Sequence, residues 1–129
     1  MHIVITRPKE DSLYLIDRLK NLGHITTHLP VIKIEKLKTN KINLEDYAAV
    51  IFTSSNAIKF MNIEKFNLKI KCFCVGSITE LNAKRVGFIN TYSSEGTVDS
   101  LIELIIRTLD PKSGKLLYLS SEFISKDLD

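Results

Sequence analysis

Four short apolar runs recur along the chain, at Ala48–Thr53, Lys71–Val75, Phe88–Tyr92 and Lys115–Leu119. Amphipathic stretches with a helical period separate them, at Ser55–Met61, Ser77–Val86 and Thr97–Leu109. This alternation constrains the fold more than any other feature. A strand that is apolar on both faces must be covered on both faces, and helices between parallel strands do that. Right-handed crossovers then give a doubly wound, flavodoxin-like α/β fold of three layers. In such sheets ligands sit at the carboxyl ends of the strands.

The chain opens with a smaller unit of the same grammar. His2–Thr6 reads as a strand, and Arg7-Pro8 ends it. Leu13, Leu15, Ile16, Leu19 and Leu22 form a helical apolar stripe stopped at Gly23. Ile25–Leu29 reads as a second strand, Pro30 breaks it, and Val31–Leu37 alternates like a half-exposed strand. Lys38–Asp46 is polar and reads as a linker with at most a helical turn. The last stretch, Ser120–Asp129, reads as a polar turn and the start of a helix.

Composition excludes several classes. The 129 residues carry a net charge of +3, with lysines spread rather than clustered and few aromatics beside them. That argues against nucleic acid as a partner. No apolar run approaches the ~20 residues of a membrane span, and no signal-peptide pattern opens the chain, so a cytoplasmic, non-membrane location is expected. Cys72 and Cys74 lie two apart in an apolar strand and read as buried free thiols. His24 and His28 lack a third ligand nearby, so no metal is expected. Asp110–Lys115 ends like a phosphate-binding loop but lacks its first glycine and its hydroxyl, and reads as a turn.

Three strand-to-helix junctions carry the chemistry: Thr53-Ser54-Ser55-Asn56, Val75-Gly76-Ser77-Ile78-Thr79 and Ser93-Ser94-Glu95-Gly96-Thr97. In a parallel sheet all of them fall on one rim. They combine hydroxyls with the unpaired N–H groups of helix starts, which suits an anion. Each taken alone is also an ordinary cap. Ser77 with Glu80 reads as a capping box. Arg7 is a candidate clamp for a carboxylate or phosphate, or else a solvated arginine at a helix start. No nucleophile–base arrangement has local support, so no catalytic residue is assigned.

Ile3-Val4-Ile5-Thr6-Arg7-Pro8, the stop at Gly23 and Leu29-Pro30-Val31-Ile32-Lys33-Ile34 resemble the opening of uroporphyrinogen-III synthases. Phe52-Thr53-Ser54-Ser55-Asn56-Ala57 is similar to that family's F-T-S-x-N-A motif, and Val75–Thr79 followed by Gly87-Phe88 to its V-G-x-x-T…G-F stretch. The chain departs from the family's usual pattern at Glu80, where Ala is common, and at Ala83, where Leu is common.

The resemblance implies two α/β domains joined by a two-stranded hinge. Residues 1–30 would begin domain one, 31–37 would be one hinge strand, and 38–129 would be domain two. The small opening unit then belongs to an incomplete domain whose remainder, with one wall of the cleft, lies beyond Asp129. Exposed apolar surface on Ile3–Ile5 and the first helix, and self-association through it, would follow.

The implied reaction cyclises hydroxymethylbilane, a linear tetrapyrrole with eight carboxylates. Water is lost and the last ring is inverted through a spiro intermediate, without metal or organic cofactor. The implied substrate-binding positions are Arg7, Ser54, Asn56, Gly76, Ser77, Thr79 and Ser94. The other readings are a non-catalytic anion-binding module and an inactive truncated synthase.

Overall fold

The computed structural model describes residues 1–38, 42–61 and 68–121. The chain divides into two compact units, Met1–Lys38 and Thr39–Asp129.

The first unit is a strand–helix–strand. Strand β1 (His2–Ile5) and strand β2 (Ile25–His28) pair in parallel, and helix α1 (Lys9–Asn21) connects them. Gly23, at φ +81°, lets the helix end in a paired hydrogen-bond stop: its N–H donates to Lys20 and the N–H of His24 donates to Leu19. Ser12 is fully buried at the other end of the helix, and its hydroxyl donates to the carbonyls of Pro8 and Arg7. Ile5 is buried, whereas Val4, Leu13, Tyr14, Leu15, Leu22 and Ile25 are exposed. Only part of the apolar pattern of this unit is therefore covered.

Val31–Leu37, expected as a strand, forms no ladder. The N–H of Val31 donates to the Thr6 carbonyl at 3.1 Å, and pairing stops there. Alternation supplies one side of a ladder only; a strand is completed by its partner. Among the described residues none forms a ladder with this segment beyond that single bond.

The second unit contains strands β3 (Ala49–Phe52), β4 (Lys71–Val75), β5 (Asn90–Ser94) and β6 (Leu116–Leu119). All pair in parallel, in the order β5-β4-β3-β6. Helices α2 (Ser55–Phe60), α3 (Ser77–Arg85) and α4 (Val98–Thr108) lie between them in sequence. Val50, Phe52, Cys72 and Cys74 point to one face and pack with Ile58 of α2 and Ala83 of α3. Ala49, Ile51 and Phe73 point to the other face and pack with Leu101 of α4. This is the three-layer, flavodoxin-like arrangement expected from the alternating runs. The chain steps outward from β3 through β4 to β5, then returns across the opposite face to place β6 beside β3. The direction of winding reverses between β3 and β6, which makes their carboxyl ends the topological switch point.

Two local expectations are corrected. The third strand of this unit was expected at Phe88–Tyr92 but spans Asn90–Ser94. Gly87 (φ +108°) ends α3, its N–H donating to Lys84 and that of Phe88 to Ala83, so Phe88 is drawn into the helix stop. Its ring is buried and meets Phe52 edge-on, with centroids 5.7 Å apart. Within the expected linker, Leu44–Asp46 is a 3-10 turn, and Leu44 is buried in the core rather than solvated. Asn43 caps this turn by accepting from the N–H of Glu45. Residues 39–41 of that linker and the expected helix start at 122–129 lie outside the described residues.

Asp110–Lys115 is a turn, closed by the Ser113 N–H on the Asp110 carbonyl and by the Lys112 N–H on the Asp110 carboxylate. Cys72 and Cys74 are free and buried, with sulfurs 3.7 Å apart. The hydrogen bond to Cys74 and burial push the Cys72 thiol up, so it stays protonated. Among the described residues no helix is long and apolar enough to cross a membrane.

Candidate functional site

The parallel register places the ends of β3, β4 and β5 side by side, so the three polar junctions do share one rim. At the first, β3 gives way to α2. Ser54 is its N-cap, extended at φ −149°, and its hydroxyl accepts from the Asn56 N–H at 3.2 Å. Ser55 accepts from the Asn82 side-chain amide at 2.9 Å, which ties α2 to α3.

At the second junction Gly76 is the N-cap of α3, at φ +77° and ψ 157°. This backbone region is essentially closed to residues with a Cβ. It turns the chain so sharply that α3 begins at Ser77, directly above the end of β4. A Cβ on Gly76 would lie 3.8 Å from the Gly96 Cα, so the second and third junctions approach through bare backbone. At the third, Ser94 is the last residue of β5, and its hydroxyl donates to the Thr97 carbonyl at 3.3 Å. Thr97 caps α4 by accepting from the Ser100 N–H.

The expected capping box between Ser77 and Glu80 does not form. Ser77 is already the first helical residue, and α3 has no side-chain cap. Glu80 turns instead to the sheet. It accepts from the hydroxyls of Thr91 at 2.9 Å and Ser93 at 2.8 Å, and pairs with Lys84 at 2.8 Å. The Lys84 ammonium, with the Ser93 and Thr91 hydroxyls, holds the Glu80 carboxyl below the usual carboxylate range. Its negative charge is thus committed beneath the rim rather than presented on it.

A pH dependence follows. A depressed folded-state pKa contributes stability that is present above the ordinary glutamate value of about 4.3 and is lost as pH falls through the folded value. The urea midpoint of the wild-type chain should therefore fall more steeply than that of Glu80→Gln between neutral pH and the acid range below about pH 4. Parallel pH profiles for the two proteins would remove Glu80 as the cause.

Ser54, Asn56, Gly76, Ser77, Thr79 and Ser94 all belong to the second unit, at or beside this rim. Thr79 is buried, 6% exposed, on the third residue of α3. Arg7 belongs to the first unit and is exposed. Its carbonyl, rather than its guanidinium, organises the local turn: it accepts from the Ser12 hydroxyl and from Nε2–H of His28 at 2.9 Å.

Two features were not found from the sequence. One is the Glu80 clasp on β5. The other is the reach of Tyr118 on β6, which reads from the sequence as a core-edge residue: its phenol lies 3.2 Å from the Thr53 hydroxyl at the end of β3. A polar aromatic in the fourth strand was the only signal for it.

Residues 14–129 match the family described as uroporphyrinogen-III synthase HemD. The porphyrin biosynthesis protein HemD of Ruminiclostridium josui is 31% identical over 107 residues, an alignment that covers 72% of this chain and 21% of that protein. The chain thus spans about a fifth of the length of that curated relative.

Proposed function

The chain belongs to the uroporphyrinogen-III synthase family, and from that premise we propose that it acts in porphyrin biosynthesis by cyclising hydroxymethylbilane to uroporphyrinogen III. The observation that carries this reading is the family match over residues 14–129, which takes in every junction of the rim.

The chemistry of the rim supports it. The substrate is a flexible polyanion. Helix starts present N–H groups without intrahelical partners, and each start favours negative charge by a few tenths to ~1 kcal/mol. The starts of α3 and α4 adjoin through Gly76 and Gly96, which leaves backbone donors open to close approach. Ser54, Asn56, Gly76, Ser77, Thr79 and Ser94 are the proposed contacts on this unit, and Arg7 the proposed contact on the other.

Departure of hydroxide from the hydroxymethyl group, released as water once it takes up a proton from solvent, leaves a delocalised cation. The step that decides the product is which carbon of the last ring attacks it. Holding the carboxylates in a fixed pattern therefore does most of the work, by orienting one end of the chain against the other. No residue need act as a nucleophile for this, and no cofactor is invoked.

The test is product analysis. The chain is incubated with hydroxymethylbilane, and the type I and type III isomers are resolved after oxidation. Formation of the type III isomer above the no-protein control is expected. Type I alone, which forms spontaneously, would overturn the reading and leave an anion-binding module or an inactive chain.

A further inference from the structure

The strand order places the switch point between β3 and β6, whereas the junctions discussed above follow β3, β4 and β5. What stands at the switch point itself is a hydroxyl pair. Ile51 is the register partner of Tyr118, so the phenol, pointing along the sheet, reaches Thr53 one strand away and two residues on. The two oxygens are 3.2 Å apart and both residues are half-buried. Tyr118 packs its ring with the core around Ile51 and Phe73, which holds the phenol in place.

We infer that Tyr118 is a positioning residue of the substrate cleft: it orients the Thr53 hydroxyl so that the pair binds a carboxylate of the tetrapyrrole at the β3–β6 switch point. This rests on the proposed function and extends the anion-holding rim to the fourth strand. The chemistry is simple. When the phenol donates to Thr53 Oγ1, the threonine hydrogen is left to donate outward. A hydroxyl that is already accepting a hydrogen bond is polarised into a better donor, and a carboxylate is a strong acceptor. Thr53 opens the first junction, directly before Ser54, the cap of α2, so the outward hydrogen lies on that junction.

Substitution isolates the hydroxyls from the packing, because Tyr118→Phe keeps the ring. Two readouts are used: steady-state kinetics with hydroxymethylbilane, and the Kd for uroporphyrin III, an octacarboxylate, by absorbance titration. Tyr118→Phe and Thr53→Val should each raise KM and Kd by roughly fivefold, the size of one ordinary hydrogen bond, with the change falling on KM rather than kcat. The double variant should be no worse than Thr53→Val alone, since the pair acts as a unit. Thr53→Ser should restore most of the affinity lost in Thr53→Val.

A merely structural pair would lower the urea midpoint and leave Kd where it was. Kd values within about twofold of wild type for Tyr118→Phe, or additive losses in the double variant, would overturn the assignment. If the wild-type chain binds uroporphyrin III but forms only the type I isomer, the proposed function fails while the titrations still decide the role of Tyr118. If the wild-type chain does not bind uroporphyrin III, the assignment of Tyr118 fails, and product analysis alone decides the proposed function.

Discussion

Phe52→Ala should lower the stability of the second unit by about 3–5 kcal/mol, the usual cost of deleting a buried phenylalanine ring. Phe52 is fully buried on the α2–α3 face, its ring edge-on to Phe88. Its neighbours leave no route for collapse: Val50, Cys72 and Cys74 are held by the ladder, and Ala83 is already small. The lost contacts would therefore persist as a cavity. Set against a typical domain stability of about 5–15 kcal/mol, that loss is a large share. Phe52→Leu keeps most of the volume and should cost less than about 1.5 kcal/mol. Urea unfolding followed by far-UV circular dichroism separates the two. A loss below about 1.5 kcal/mol for Phe52→Ala would mean that the core repacks around the site. Because Phe52 is the last residue of β3, the same variant should also loosen Thr53 and Ser54, and a weakened rim should accompany the weakened core.

What the sequence made legible, and what it did not, divides by range. β4 was expected at Lys71–Val75 and lies there, because a run buried on both faces leaves no choice of period. The positions of the strand-to-helix turns were legible for the same reason, since polar residues between two buried runs have nowhere to go but a rim. Partners were not. Ser77 and Glu80 have the spacing of a capping box, yet the carboxylate found two hydroxyls on β5, at 11 and 13 residues' remove. A local motif competes with every donor that the fold brings near, and here the sheet won. Tyr118 and Thr53 are 65 residues apart, and only the strand order β4-β3-β6 makes them neighbours. Phe88 read as strand by composition, but the glycine before it created a helix stop that needs an apolar residue at that place. Val31–Leu37 read as strand by alternation, which says nothing about whether a partner is there to pair.

Gly76→Ala should reduce the formation of uroporphyrinogen III by tenfold or more while costing about 1–3 kcal/mol of stability, and the two effects have different origins. The stability loss comes from the backbone. At φ +77° and ψ 157° an alanine is strained whatever room surrounds it, and the nearest atom to its methyl would be the Gly96 Cα at 3.8 Å, an ordinary contact. The activity loss comes from how the strain is relieved. If the alanine leaves this region, the peptide between Gly76 and Ser77 rotates, and the first N–H groups of α3 no longer point out of the rim. If it stays, its methyl occupies the space between the second and third junctions, where a carboxylate would approach bare backbone.

Gly114→Ala separates strain from site. Gly114 also has a positive φ, +115°, with the Ala48 Cβ 3.8 Å from the added methyl, but it precedes β6 at the amino end of the sheet, away from the rim. It should lose stability by a similar amount and keep its KM for hydroxymethylbilane. Equal losses of activity in the two variants, at equal losses of stability, would mean that Gly76 serves the fold alone. A loss confined to Gly76→Ala ties the positive φ at the end of β4 to the substrate, and so to the carboxyl-end rim of the parallel sheet.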